Sequence, residues 1–293
     1  MNKMNVFGFL LVFSLMLAFK ITPGQTMKED VQSGFVKSNG IKIYYEKSGN
    51  GPYLVLIEGL GVATFLWEKQ IPELSKHFTV IVYDNRGVGK SDKPAGPYSI
   101  NMMAKDLAGL MEELKIPSAH ILGVSMGGFI AEEFALLYPG KVDKLVLAAT
   151  SAGGKDHIPM SQETLAQVLA ASDESREIIR KKLALAYTKE YLSDEKTLEH
   201  LVDLRIDNPQ VPEAYQAQAM AGVYFDRSED VKNINKPTFI LGATDDLLMP
   251  VQNCYNLNKK IAGSKIKIYE ALGHQFFVEN ANEFNKDVIE FLE

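Results

Sequence analysis

Residues 119–128 read "AHILGVSMGG". A short apolar run, Ile121-Leu122, meets Gly123; Ser125 then stands alone between Val124 and Met126, and Gly127 and Gly128 close the stretch. Two explanations compete. Either Ser125 sits at a sharp strand-to-helix corner that displays its hydroxyl, or this is an ordinary glycine-rich connection. The corner needs glycine two residues away on each side, because a Cβ there would collide with neighbouring backbone. "GVSMG" meets that condition, with an apolar strand before it and the amphipathic run "MGGFIAEEFALLYP" after it. A helix starting there points its free N–H groups at the serine, where they stabilise negative charge.

The surrounding chain fits a buried, mostly parallel sheet. "FVKSNGIKIYYEKSG" alternates apolar and polar around Asn39-Gly40, a hairpin pattern. "YLVLIEGLG", "FTVIVYDNRGVGKSD", "VDKLVLAAT" and "PTFILGATDD" are continuous apolar runs that end in turn residues, as strands covered on both faces do; "KIKIYEALGH" is a weaker one. Helical patterns lie between them: "LWEKQIPELSKH", "INMMAKDLAGLMEELK", "VQNCYNLNKKIAG" and the closing "EFNKDVIEFLE". Buried strands alternating with helices predict right-handed crossovers on one sheet. From about residue 152 to 235 no buried strand appears, while "SQETLAQVLAASDESREIIRKKLALAYTKEYL" and "EAYQAQAMAGVYF" look helical. That interval is expected to be a helical cap over the strand ends, the alternative being a separate helical domain.

Bulk properties exclude several functions. The chain has 293 residues, 46% hydrophobic and 23% charged, which suits one domain with a full core. A formal net charge of −6 gives no reason to expect nucleic acid as a partner. Five histidines and one cysteine, Cys254, leave little for a metal cluster and preclude an internal disulfide. The N-terminal "MNKMNVFGFLLVFSLMLAFK" carries Lys3 and then an apolar run from Val6 to Phe19. That run is short for a membrane span and fits the hydrophobic region of a signal peptide. Residues 1–26 are therefore expected to be a signal peptide or anchor ahead of a folded domain at 27–293. The protein is expected to be exported, periplasmic or secreted, with a membrane tether only if that segment is retained.

Serine is a weak nucleophile without a base. His274, in "EALGHQFFVE", follows the last expected strand and so belongs to the same end of the sheet as Ser125. The other histidines fit less well: His77 precedes a strand, His120 begins one, and His157 and His200 fall in the cap. The base needs a carboxylate to hold its tautomer. "LGATDDLLMP" offers Asp245 and Asp246, of which only one can face the imidazole. Acyl transfer also needs oxyanion donors. The Met126 N–H, just after the serine, is one, and the Leu60 N–H, between Gly59 and Gly61, is the expected second. The stretch "DNRGVGKSD" is expected to be a structural turn, its Asp and Arg locking a loop by a charge-assisted bond.

Taken in order, "GLGVATFLWEKQ", "VIVYDNRGVGKSD", "GVSMGGFIAEEFALLYPGKVDKLVLAAT", "GATDDLLMP" and "GH" resemble the α/β-hydrolase family, over nearly everything after the N-terminal segment. The closer likeness is to its esterase branch, which includes 3-oxoadipate enol-lactonases. The resemblance implies a mostly parallel eight-stranded sheet flanked by helices, with the cap inserted after the sixth strand. It implies a serine hydrolase that cleaves a small ester or lactone through an acyl-enzyme, with no cofactor, no metal and no stable protein partner. The Asp-x-x-x-Pro spacing to Pro250 resembles the family's acid loop and favours Asp246. No nucleophilic aspartate stands at the elbow, unlike epoxide hydrolases and haloalkane dehalogenases. Some members of the fold are slow-turnover small-molecule receptors, which is the alternative function; C–C hydrolysis and haloperoxidase side activity rank lower. One departure is Glu58-Gly59, where many members have His-Gly. It bears on that loop's hydrogen bonding and on the sign of charge near the pocket.

Overall fold

The computed structural model describes residues 31–169 and 175–293. The expected signal segment lies outside them. Eight strands form one sheet: β1 (Gln32–Ser38), β2 (Ile41–Ser48), β3 (Tyr53–Ile57), β4 (Thr79–Tyr83), β5 (Ala119–Val124), β6 (Val142–Ala148), β7 (Thr238–Ala243) and β8 (Lys265–Tyr269). Their spatial order is β1-β2-β4-β3-β5-β6-β7-β8. The β1–β2 and β2–β4 pairs are antiparallel and every later pair is parallel. The first hairpin turns at Asn39 and Gly40, with φ of 49° and 83°, the two left-handed residues that such a turn requires.

Both faces of the central strands are buried, which is why their sequences are continuously apolar. Val55, Ile57, Ile121 and Leu147 pack on one side, while Leu54, Leu56, Leu122 and Val146 pack on the other. The first side is covered by α2 (Ile100–Glu113), α3 (Met126–Leu137) and α8 (Gln252–Lys260). The second is covered by α1 (Ile71–Leu74), α9 (Phe276–Glu279) and α10 (Ala281–Leu292), with Trp67 and Phe277 at its centre. The helix expected over "LWEKQIPELSKH" is broken: Thr64–Lys69 is a 3-10 turn and only Ile71–Leu74 is α-helical. Pro72 has no N–H and its ring excludes a preceding helical turn, so it restarts the helix at its own first turn.

Between β6 and β7 lie α4 (Gln162–Leu169), α5 (Arg176–Ala186), α6 (Glu195–Asp207) and α7 (Pro212–Val223). This is the expected cap, and an isolated antiparallel bridge between Gly153 and Asp226 closes its neck. Local chemistry punctuates the helices. Ser175 caps α5 by accepting from the Ile178 N–H, and Asp194 caps α6 by accepting from Thr197 N–H. Among the described residues no helix is long and apolar enough to cross a membrane.

Candidate active site

β5 ends at Val124 and α3 begins at Met126, so Ser125 is the corner between them. Its φ of 57° and ψ of −121° are strained for a residue with a Cβ. Two flanking glycines let the corner close. A Cβ on Gly123 would run into the Gly127 carbonyl, and one on Gly127 into the Ile57 and Glu58 carbonyls, both backbone atoms that cannot move aside. The conformation is held from behind. The Ser125 N–H donates to the Ala148 carbonyl at 2.9 Å, and Thr150 Oγ1 donates to the Ser125 carbonyl at 2.9 Å. Ser125 thus stands on rigid backbone with its side chain half-buried at the cavity floor.

His274 lies in the loop after β8, 4% exposed, with Nδ1 2.8 Å from Asp246 Oδ2. The other Asp246 oxygen, Oδ1, accepts from the Leu248 and Met249 N–H groups at 2.9 and 2.7 Å. Asp245, one residue earlier, is exposed and accepts from Thr244 Oγ1. The alternation of side chains past the end of β7 therefore sends Asp246 inward to the imidazole and Asp245 out to water. A carboxylate accepting at Nδ1 keeps the proton there and leaves the Nε2 lone pair as the basic site. Two contacts that local sequence does not reveal fix the His274 loop. The Gly273 N–H donates to Glu279 Oε1 at 3.1 Å, and the Gln275 N–H donates to the Ala186 carbonyl, at the end of α5, at 2.9 Å.

Leu60 and Met126 line the same cavity as Ser125 and His274. Met126 is the first residue of α3, so its N–H has no intrahelical acceptor. In the Leu60 loop the neighbouring amides are engaged: Gly59 N–H donates to Glu58 Oε2 at 3.1 Å, and Gly61 N–H to Gln218 Oε1 at 2.9 Å. Among the described residues nothing accepts from the Leu60 N–H. The cap grips this loop from three sides. Arg205 of α6 and Gln210 donate to the Gly61 carbonyl, while Gln218 of α7 also donates to the Arg86 carbonyl at 2.6 Å. The Arg86 side chain itself pairs with Asp106, at 2.5 and 2.6 Å, rather than with the aspartate of its own loop. Asp84 instead accepts from the Thr64 and Lys90 N–H groups, so each of the two charges expected to pair has a separate structural task.

The cavity encloses about 720 Å³, within the range of small-molecule sites. Its walls are chiefly apolar, from Val62, Phe129, Leu165, Leu183 and Met249 among others. His157 lines it too, which its position in the cap sequence did not suggest. Its Nδ1 lies 2.9 Å from Ser151 Oγ, and burial lowers its proton affinity. The remaining histidines lie elsewhere: His77 pairs with Glu293, His200 with Glu68, and His120 packs edge-on against Phe78. Among the described residues no three His, Cys, Asp or Glu side chains converge as a metal site.

Comparison with known proteins agrees with this architecture. The model of the alpha/beta hydrolase fold family matches residues 52–281. A protein of Caulobacter sp. (strain K31) named "Putative carbamate hydrolase RutD" is 27% identical over 264 residues, covering 89% of this chain and 98% of its own. Among solved structures, the enol-lactonase from Burkholderia xenovorans LB400 is 28% identical, covering 88% of this chain and 99% of its own, with a TM-score of 0.78. An esterase from Exiguobacterium antarcticum is 26% identical, with coverage of 89% and 99% and a TM-score of 0.80. These relatives are hydrolases by name, and the likeness spans nearly the whole length of each. The chain belongs to the alpha/beta hydrolase fold family.

Proposed function

We propose that the protein hydrolyses small carboxylic esters or lactones through an acyl-enzyme. Ser125 Oγ attacks the carbonyl carbon while its proton passes to His274 Nε2. The new C–O bond pushes the carbonyl electrons onto oxygen, and the Leu60 and Met126 N–H groups hold that oxyanion. Collapse breaks the bond to the leaving oxygen, which takes the proton from His274; in a lactone the leaving oxygen stays tethered to the acyl chain. Water then gives a proton to His274 and attacks the acyl carbon, and Ser125 departs with that proton. Asp246 keeps the imidazole oriented and stabilises its cationic form.

The observation that carries this reading is the buried Asp246–His274 bond opening on the same cavity as a serine held at a strained corner. The apolar walls support a largely apolar acyl substrate, and the enol-lactonase and esterase relatives support an ester or lactone bond as the one cleaved. Ser125→Ala is expected to abolish p-nitrophenyl butyrate hydrolysis while circular dichroism shows an unchanged fold. Retained turnover in that variant removes Ser125 from the mechanism. A single slow event per molecule, rather than repeated cycles in the wild type, would instead indicate a small-molecule receptor on this fold. Export belongs to the same proposal and rests on the N-terminal segment; cell fractionation tests it.

A further inference from the structure

Glu58 directly follows β3, the strand that feeds the Leu60 loop, and it is 1% exposed. Its Oε2 accepts from the Gly59 N–H at 3.1 Å, and its Oε1 is buried with no partner among the described residues. Asn85 Nδ2 donates to the Glu58 carbonyl at 3.1 Å, so the backbone is not free to swing the side chain outward. This wall touches the elbow: a Cβ built on Gly59 would lie 3.1 Å from Ser125 Cβ and 3.5 Å from its Oγ. A buried carboxyl with one orphan oxygen therefore stands one residue from Gly59, which packs against the serine.

We propose that Glu58 works as a neutral acid, a positioning residue that steadies Gly59 and keeps negative charge away from the oxyanion-binding loop, and that its ionisation shuts the acylation step. This rests on the ester-hydrolase reading above. The proton belongs on Oε1, because Oε2 already accepts a hydrogen bond and Oε1 receives none. Burial pushes the carboxyl up to about 8, against the smaller opposing pulls of the Gly59 N–H and the Arg205 guanidinium. Arg205 pulls toward the anion, but more weakly than burial opposes it. Arg205, from α6, is committed to the Gly61 carbonyl at 3.2 Å and to the Phe65 ring. Tyr187, after α5, is buried and its phenol is held well above its ordinary range. At the corner after β4, Asp84 is another acid; past β7 and β8, Asp246 and His274 are already paired. An ionised Glu58 would face a second negative charge growing on the substrate oxygen in a poorly screened site. A neutral ester carries no such charge before attack, so the loss falls on kcat rather than on KM.

The test is the pH profile of p-nitrophenyl butyrate hydrolysis by the wild type and by Glu58→Gln, whose amide oxygen can still accept from Gly59. A group with its midpoint at about 8 predicts that wild-type kcat is about tenfold lower at pH 9 than at pH 7. Glu58→Gln is expected to lose that alkaline limb, and Glu58→Asp to retain one. Cys254 is no competing owner, since burial pushes its thiol up to about 12. Difference infrared spectra, wild type minus Glu58→Gln, read the acid without substrate: a neutral-carboxyl band is expected at pH 7 and lost by pH 9. The same alkaline limb in both proteins, or no such band at pH 7, overturns the inference. A wild type that turns over no ester while the band is present defeats the ester reading instead, so the two failures are distinct.

Discussion

The buried state of Glu58 has a thermodynamic consequence that no enzymatic assay is needed to see. An unfolded chain releases the Glu58 proton near 4.5, whereas the folded protein holds it up to about 8. Between those values the unfolded state carries fewer protons, so raising the pH favours unfolding. This contribution to stability is fully present below 4.5 and is lost progressively up to about 8. At 1.36 kcal/mol per pH unit, the interval between those two values sets a ceiling of about 5 kcal/mol. Between pH 5 and pH 8 the loss is about 3–4 kcal/mol, because titration is incomplete at both ends. Glu58→Gln has no such titration. Urea unfolding of both proteins at pH 5 and pH 8, followed by circular dichroism, isolates the effect. Subtracting the variant's change from the wild type's cancels every other ionisable group, and the remainder should be about 3–4 kcal/mol of wild-type destabilisation. A remainder below about 1 kcal/mol would show that Glu58 ionises like an exposed glutamate, and would refute the reasoning from burial.

Four other substitutions probe separate parts of the architecture. Asp246→Asn removes the acceptor that fixes His274 Nδ1 and should lower kcat by roughly 10³–10⁴, while Asp245→Ala at the exposed neighbour should stay within about twofold; steady-state kinetics on one ester separates them. Gly127→Ala drives a Cβ into two backbone carbonyls and should cost about 3 kcal/mol or more in urea unfolding, with the elbow displaced. Asp106→Ala leaves the Arg86 guanidinium buried without its bidentate partner, their side chains being 3% and 7% exposed, and should cost about 3–5 kcal/mol.

Local patterning made the strands and the serine corner legible. The continuous apolar runs correspond to strands covered on both faces, and the glycines around Ser125 are where backbone crosses backbone. Resemblance of the Asp-x-x-x-Pro spacing favoured Asp246 over Asp245, but the physical reason, that adjacent residues past β7 point to opposite sides and only one side holds the histidine, emerges from the coordinates. The partner of Arg86 was equally out of reach: Asp106 looks like any polar residue on an amphipathic helix until α2 packs against that loop. Contacts of long sequence separation account for the rest. Gln218 meets Gly61 across 157 positions, and Ala186 fixes the His274 loop from the end of a cap helix. Neither carries a local motif, because a backbone carbonyl or a single amide can be supplied by many residue types. Glu58 was visible as a departure from a familiar pattern, but its burial and its unpartnered oxygen emerge only from packing.

The proposed chemistry depends on an activated hydroxyl at residue 125 acting as the nucleophile. Reaction with a fluorophosphonate probe, followed by digestion and mass mapping of the adduct, tests it most directly. One modified site is expected, Ser125, with labelling lost in Ser125→Ala and strongly slowed in His274→Ala. An adduct on another residue, or equal labelling of the Ser125→Ala protein, would contradict it.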